Sequence, residues 1–224
     1  IGNVGGILPS LSVAREVVFE NGVHGVIYFE TPETRDAKAV ASLPNMYVDI
    51  GCATREEAEQ KVQVGDMCVF VSNFVDLGSR MASGAMDNRV CCAILVEAMK
   101  QLSSPHDVYV VFTVQEEVGL RGAKITAERL RPALAICLEG TPADDNFTAP
   151  DEAQGALKKG VQIRFRDGSM VAHPGLVAFA RRVAEENNIP HQCAVRTGGG
   201  TNGGSIHLAP GGVPTLVLGI PVRY

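Results

Sequence analysis

The 224-residue chain has no hydrophobic stretch long enough to cross a membrane as a helix. Its longest apolar runs fall well short of the roughly 18 to 20 residues that a membrane-spanning helix needs. The chain also has no dense cluster of Lys and Arg, and its formal net charge is −5. Proteins bind a phosphate backbone through clustered positive charge. We therefore expect neither a membrane nor a nucleic acid as a partner.

Cysteines with the C-x-x-C spacing are also absent. The six cysteines are scattered, and Cys91, Cys92 and Cys137 fall inside apolar runs. This distribution is typical of buried thiols in a reducing compartment. The first residues do not form a signal peptide either. We therefore expect a soluble cytoplasmic protein without a cysteine nucleophile.

Two common binding motifs are missing as well. None of the five histidines has the H-E-x-x-H spacing of a zinc protease, and the glycine-rich stretch 198–201 lacks the Lys-Ser/Thr end of a phosphate-binding loop. Glycines still let main-chain N–H and C=O groups approach a bound ligand closely. We interpret Gly199, Gly200 and Thr201 as candidate substrate-binding residues. Arg121 is a further candidate because a guanidinium can anchor a carboxylate, although a surface salt bridge explains it equally well.

The composition predicts a globular protein with two unequal domains. With 46% hydrophobic residues, the chain can bury a sizeable core. Short strands and turns predominate in the first third, where Asn21-Gly22 marks a hairpin. Beyond residue 80, strands alternate regularly with helices. We predict a small β-rich domain at residues 1–80. Residues 81–224 are predicted to form an α/β domain, a doubly wound sandwich of mixed sheet and helices.

The predicted elements follow from hydrophobic periodicity, caps and turn residues. In the small domain they are strands at Arg15–Phe19, His24–Phe29, Met46–Ile50 and Met67–Val71, and a helix capped at Thr54 that runs to about Lys61. In the larger domain they are a buried helix at Val90–Leu102, a helix at Lys124–Leu130, a helix at Leu176–Asn187, and strands at Val108–Val114, Leu134–Leu138, Val161–Phe165, Gln192–Val195 and Thr215–Ile220.

Two of the predicted strands end in carboxylates. Gln115-Glu116-Glu117 closes the apolar run 108–114, and Glu139 closes the run 134–138. Such runs, rich in Val and Ile, favour central parallel strands, beyond whose carboxyl ends ligands gather. Acidic side chains brought together there would repel one another unless cations neutralise them. The pattern therefore predicts a metal site at this edge of the sheet.

Each carboxylate also has a simpler interpretation when taken alone. Asp87 precedes a predicted helix and could be its cap, and Glu116 and Glu117 could form a solvated turn. Adjacent residues that leave a strand point in different directions. One glutamate can therefore bind a cation while the other faces the substrate as a proton shuttle.

Several strings together resemble one enzyme family, the dinuclear-metal aminopeptidases of the tetrahedral (TET) type, also known as glutamyl or deblocking aminopeptidases. The matching strings are Met86-Asp87-Asn88-Arg89-Val90, Val114-Gln115-Glu116-Glu117-Val118-Gly119-Leu120-Arg121-Gly122-Ala123, Leu138-Glu139-Gly140-Thr141, Gly199-Gly200-Thr201-Asn202 with Ile206-His207, and Ile220-Pro221-Val222-Arg223-Tyr224. They run through the C-terminal two thirds of the chain.

The resemblance implies a role for each carboxylate. Asp87 would bridge two divalent ions, Zn²⁺ or Co²⁺ or possibly Mn²⁺. Glu117 and Glu139 would each bind one of them, and Glu116 would be the general base. The family removes the N-terminal residue of short peptides and forms dodecameric homo-oligomers. The resemblance therefore implies peptide substrates and self-assembly, with residues 1–80 as the oligomerisation domain and residues 81–224 as the metallopeptidase catalytic domain.

The sequence departs from the family pattern at both ends. The resemblance implies a metal-binding His-x-Asp pair before Ile1 and a further His after Tyr224, so we expect the catalytic domain to be incomplete at both ends of this sequence. Glu139 and Asn202 stand where many relatives carry Asp. Two alternatives stay open: a related metallohydrolase, deacylase or carboxypeptidase-like, and a non-catalytic scaffold subunit if the histidines are truly absent.

Overall fold

The computed structural model describes residues 1–30 and 40–223. Tyr224, the last residue of the final family-like string, lies outside these ranges. The chain divides into two compact units, Ile1–Gly84 and Ala85–Tyr224. Among the described helices, none combines the length and hydropathy required to cross a membrane.

The first unit contains a four-stranded antiparallel sheet. Its elements are β1 (Glu16–Phe19), β2 (His24–Phe29), β3 (Met46–Asp49), α1 (Arg55–Glu59), β4 (Cys68–Phe70) and the short pair β5 (Val75–Asp76) and β6 (Met81–Ala82). The sheet order is β3-β2-β1-β4, and β5 pairs with β6 separately. A small apolar core of Val17, Ile27 and Met46 lies on one face.

Local sequence signals in this unit are confirmed. The β1–β2 hairpin turns at Asn21-Gly22, where Gly22 has a φ of +85° and the Asn21 side chain accepts a hydrogen bond from the Val23 N–H at 3.1 Å. Helix α1 begins after Thr54, whose Oγ1 accepts from the Glu57 N–H at 3.2 Å. Short-range hydrogen bonds of this kind do not depend on distant parts of the chain.

The second unit contains a four-stranded mixed sheet with helices. Its elements are α2 (Met86–Gln101), α3 (Arg121–Leu130), β7 (Ala135–Pro142), β8 (Val161–Arg166), α4 (Pro174–Glu186), β9 (His191–Val195), α5 (Asn202–Ile206) and β10 (Thr215–Val222). The order is β7-β10-β8-β9; β10 is parallel to β7 and antiparallel to β8, and β8 is parallel to β9. The predicted α/β class with a mixed sheet is confirmed.

This sheet buries polar as well as apolar side chains. An apolar cluster that includes Ile163 and Leu216 packs with Val177 of α4. Register and alternation place Glu139 and Thr141 of β7 on the same face as Gln162 of β8. All three polar residues are buried. The sheet therefore presents a buried polar surface that begins at Glu139.

The predicted strand at Val108–Val114 is wrong. This segment has no regular secondary structure and pairs with no strand of the described residues, and Val108, Tyr109, Phe112 and Val114 are exposed. Apolar periodicity reports a tendency to be buried, whereas a strand also needs a neighbour for its backbone N–H and C=O groups. That neighbour is absent from the described part of the chain.

Two predicted burial patterns also need correction. Strand β7 extends to Pro142, so Glu139 lies inside the strand instead of closing it, and among the described strands β7 pairs with β10 alone. Helix α2 buries Cys91 but leaves Cys92, Ile94 and other apolar side chains exposed. Apolar residues on several faces indicate burial only where several faces have packing partners.

Replacement of Gly160 by Ala should destabilise the second unit. Gly160 has a φ of +87°, and a Cβ there would collide with the Pro190 carbonyl where β8 and β9 begin. Overpacking costs about 1–3 kcal/mol and left-handed backbone about 1–2 kcal/mol. The free energy of unfolding, measured by urea denaturation, should fall by the sum of both. Gly211→Ala is the matched control because Gly211 has a φ of +92° and open space. Equal losses in the two variants would contradict the proposed collision.

Candidate active site

Strand β7 holds Glu139 in a buried position. Its side chain is 5% exposed, and Oε1 accepts a hydrogen bond from Asn88 Nδ2 at 3.3 Å. The same Asn88 amide donates to the Leu138 carbonyl at 3.3 Å, which ties the start of α2 to β7. Within the described residues Oε2 has no hydrogen-bond partner. Glu139 therefore keeps one buried oxygen available for a ligand.

Asp87 packs directly against the residue after Glu139. It lies at the start of α2 with non-helical dihedrals, φ −81° and ψ 106°, and its peptide bond to Asn88 is cis. A Cβ built on Gly140 would lie 2.6 Å from Asp87 Cβ and 2.7 Å from Asp87 Cγ. Gly140 thus lets the Asp87 carboxylate approach β7 closely.

A tight turn carries the two adjacent glutamates. The Glu116 carbonyl accepts hydrogen bonds from the Gly119 and Leu120 N–H groups at 3.1 and 2.9 Å. The Gly122 N–H closes the turn on the Val114 carbonyl at 3.0 Å. Within this turn Glu116 is partly buried and Glu117 is exposed. Neighbours in sequence therefore occupy different environments.

The electrostatics show which carboxylates act on one another. The pKa of Glu116 is raised to about 7, mainly by burial and in smaller part by the negative charges of Glu117 and Asp87. Burial also raises the pKa of Glu139 far above its ordinary range, with contributions from Asp87 and Glu116; the positive charge of Arg164 lowers it. Asp87, Glu116 and Glu139 therefore form one interacting group, which Glu117 joins through Glu116.

The glycine-rich loop lies in the same unit and packs on a neighbouring turn. The Gly168 N–H donates to the Gly199 carbonyl at 3.0 Å, and a Cβ on Gly200 would lie 3.3 Å from Ser169 Cβ. Thr201 is fully buried, and its N–H donates to Ser169 Oγ at 3.4 Å. Helix α5, which follows this loop, contacts both β7 and α3. The loop is thereby held beside the strand that carries Glu139.

Arg121 lies at the first position of α3 and is exposed. Its Nη1 donates to Gln115 Oε1 at 3.4 Å. This contact places the guanidinium next to the turn of Glu116 and Glu117. The positive charge that lowers the pKa of Glu139 belongs to Arg164, a residue that the sequence reasoning did not single out.

The chemistry of this group fits a divalent cation. Carboxylate oxygens are the ligands available, Glu139 Oε2 lacks a donor, and like charges this close favour a bound cation. Within residues 1–30 and 40–223, no three His, Cys, Asp or Glu side chains are arranged so that they could hold a metal ion. Mutual repulsion opposes such an arrangement unless positive charge offsets it. The sequence predicts Asp87, Glu117 and Glu139 as the side chains that would hold the ion.

Sequence reasoning missed three residues that shape this site. They are Asn88, which binds Glu139; Gly140, which admits Asp87; and Arg164, the buried cation. Asn88 directly follows Asp87 in the sequence, and Gly140 directly follows Glu139. Their position next to predicted metal ligands could have drawn attention to both. Arg164 lies between Ile163 and Phe165 in the predicted strand Val161–Phe165. A charged side chain inside a buried strand is unusual, and this was the available signal.

Comparison with known proteins gives a consistent result. The family model described as M42 glutamyl aminopeptidase matches residues 1–224. A protein of Acetivibrio thermocellus, provisionally named an aminopeptidase, is 41% identical over 224 residues, which cover 99% of this chain and 66% of that protein. The chain thus spans about two thirds of the relative's length.

Solved structures show the same likeness. Aminopeptidase APDkam598 from the archaeon Desulfurococcus kamchatkensis superposes with a TM-score of 0.90 at 36% identity, over 98% of this chain and 64% of that chain. The Pyrococcus horikoshii TET1 peptidase, described as assembling into a tetrahedron or a large octahedral shell, gives a TM-score of 0.81 at 32% identity, over 99% and 67%.

Replacement of Gly140 by Ala should push Asp87 away from β7. The added Cβ would overlap Asp87, and overpacking of this kind costs about 1–3 kcal/mol in the free energy of unfolding. Urea denaturation measures the loss, and a crystal structure of the variant should show the Asp87 carboxylate displaced. Gly198→Ala is the control because a Cβ at Gly198 meets open space. An undisplaced Asp87 with control-like stability would show that Gly140 is not required.

Proposed function

Because this chain belongs to the M42 glutamyl aminopeptidase family, we propose that it forms most of a metal-dependent aminopeptidase that removes the N-terminal residue of short peptides. The observation that carries the proposal is the group of mutually interacting carboxylates formed by Asp87, Glu116 and Glu139. A solvated surface turn would not bury Glu139 or raise the pKa of Glu116. A site for cations and proton transfer accounts for both.

Asp87, Glu117 and Glu139 would hold two divalent ions. The buried, unpartnered oxygen of Glu139 supports its assignment as a ligand. Zn²⁺, Co²⁺ and Mn²⁺ all accept carboxylate oxygens, so the donor set does not select among them. When bound, such ions lower the pKa of a coordinated water and polarise a carbonyl group.

Glu116 is the general base in this proposal. Its carboxylate accepts a proton from the attacking water as the water oxygen bonds to the peptide carbonyl carbon. It then donates that proton to the amine nitrogen as the C–N bond breaks. A carboxyl group whose pKa is about 7 can both accept and donate near neutral pH, because neither form is strongly favoured. Partial burial, the main cause of the raised pKa, suits this role.

The loop of Gly199, Gly200 and Thr201 is proposed to border the bound peptide. It is exposed at its glycines and is followed by α5, which contacts β7 and α3. Main-chain groups of such a loop can hydrogen-bond the peptide backbone without selecting a side chain. Arg121, beside the Glu116 turn, is proposed to assist by charge.

We also propose a homo-oligomer. The Pyrococcus horikoshii relative is described as a tetrahedral or octahedral assembly. In the first unit the sheet leaves Val26, Tyr28, Tyr47 and Val69 exposed. Exposed apolar side chains clustered on one sheet are typical of surfaces that bind another protein.

Glu116→Gln and Glu117→Gln should separate proton transfer from metal binding. Loss of the Glu116 base should lower kcat by about 10²–10⁴-fold with unchanged metal content. Loss of the Glu117 ligand should lower the metal content and kcat together. The measurements are steady-state hydrolysis of an aminoacyl anilide and metal analysis by mass spectrometry. Glu128→Gln, an exposed position on α3, is the control. Wild-type kcat in Glu116→Gln would remove the proton-shuttle role.

Substrate selectivity should distinguish an aminopeptidase from a related deacylase or carboxypeptidase. An aminoacyl anilide with a free α-amino group should be hydrolysed, and its N-acetylated counterpart should react at least about 100-fold more slowly, because a site built for a charged amine leaves buried groups unpaired when the amine is blocked. Both rates are measured by the release of the aniline from each compound, with each of several divalent ions added in turn. Preference for the acetylated compound, or for release of a C-terminal residue, would favour the alternatives.

A further inference from the structure

Arg164 is a buried cation in the middle of the sheet. It lies on β8 and is 4% exposed. Its Nη1 forms an ion pair with Asp167 Oδ2 at 3.2 Å, and the two side chains are 5% and 0% exposed. Removing both charges from water is costly, and buried ion pairs often stabilise a fold no better than apolar side chains of similar size. Arg164 Nε also has no hydrogen-bond partner in the described part of the chain. Stability alone therefore gives a poor account of this pair.

One end of the pair reaches strand β7. Arg164 Nη2 donates to Thr141 Oγ1 at 2.9 Å, and the Thr141 hydroxyl donates to Gln162 Oε1 at 3.2 Å. Thr141 stands two residues after Glu139 and therefore lies on the same face of β7. The guanidinium of β8 thus contacts the strand that carries the buried carboxylate.

Strand β10, which lies between β8 and β7, leaves room for this connection. Gly219 pairs with Glu139 on one side and Gln162 on the other. A Cβ at Gly219 would lie 2.8 Å from Thr141 Cγ2 and 3.0 Å from Gln162 Oε1. The absence of a side chain at Gly219 therefore lets polar groups meet across the central strand.

The other end of the pair holds the turn beneath the glycine-rich loop. Asp167 Oδ1 accepts hydrogen bonds from the Ser169 N–H and Ser169 Oγ at 2.8 Å each, and from the Met170 N–H at 3.0 Å. Ser169 in turn lies against Gly200 and accepts from the Thr201 N–H. Asp167 therefore fixes the surface on which the loop packs.

We propose that Arg164 is a positioning residue that fixes the proposed metal-binding strand relative to the proposed substrate-binding loop. Its planar guanidinium presents two N–H groups in a fixed fork, one to Thr141 of β7 and one to Asp167 of the turn. The spacing between Glu139 and residues 199–201 then depends on one rigid group. The roles given to Glu139 and the loop rest on the proposed function; the linkage itself does not.

The test uses Arg164→Met/Asp167→Asn, which removes both charges together and keeps an acceptor for Ser169 and Met170. The control is Arg181→Met/Glu185→Gln, an exposed ion pair on α4. Backbone hydrogen exchange measured by mass spectrometry should be at least about tenfold faster in both β7 and residues 198–202 of the double variant, because each loses its buried anchor. Titration with Co²⁺ should show at least about tenfold weaker binding and a changed visible absorption spectrum. The control should match the wild type in both measurements.

Arg164→Lys separates charge from geometry. A lysine keeps the positive charge but lacks the two N–H groups of the guanidinium fork. In this variant hydrogen exchange should therefore stay faster than in the wild type in β7, in residues 198–202, or in both. Full recovery of exchange rates and of Co²⁺ affinity with Lys would overturn the bridging role.

Three further outcomes decide the remaining cases. Exchange and Co²⁺ binding equal to the control would overturn the proposal. A wild-type protein that binds no Co²⁺ would refute the proposed function, while the exchange measurement would still decide whether Arg164 links the two segments. If the double variant does not fold, Thr141→Val removes one contact without unpairing a charge; faster exchange in β7 would support the linkage, and unchanged exchange would overturn it.

Discussion

Repulsion between carboxylates is the constraint on which the second unit depends. Asp87, Glu116 and Glu139 raise one another's energy when ionised, and burial strengthens the effect because the protein interior screens charge poorly. The structure offsets part of this cost through an amide donor from Asn88 and the positive charge of Arg164. A bound cation would offset the rest. The arrangement is therefore costly for a fold alone and reasonable for a metal-binding enzyme.

The close approach of these groups depends on missing side chains. Gly140 admits Asp87 to β7, and Gly219 admits the contact between Thr141 and Gln162. Each glycine forfeits some stability because an unfolded glycine has more conformational freedom than other residues. In return, polar groups from separate elements lie within hydrogen-bonding distance. The positions without a side chain are therefore as important to this arrangement as the polar residues themselves.

Local features of the fold could be predicted from the sequence, whereas long-range pairing could not. The hairpin at Asn21-Gly22 and the cap at Thr54 rest on bonds between near neighbours. The run 108–114 has the composition of a strand but no partner in the described residues. Likewise, the sequence placed Glu139 at the end of its strand because the apolar run stops at Leu138. The hydrogen-bonded strand in fact continues to Pro142. Apolar pattern reports burial, and hydrogen-bonded pairing depends on residues far away in sequence. Arg164 was missed for the same reason, since its partners lie on another strand and in a turn.

The separate roles proposed for Glu116 and Glu117 rest on a difference in environment and not in residue type. Both are glutamates in one turn, yet Glu116 is partly buried near Asp87 and Glu117 is exposed. Glu117 is open to solvent, so an approaching cation can reach it directly. A proton shuttle must instead change its protonation state readily, which burial and neighbouring charge promote by bringing the pKa of Glu116 to about 7. Two identical side chains can therefore divide ligation and proton transfer because the turn gives them unequal contact with water.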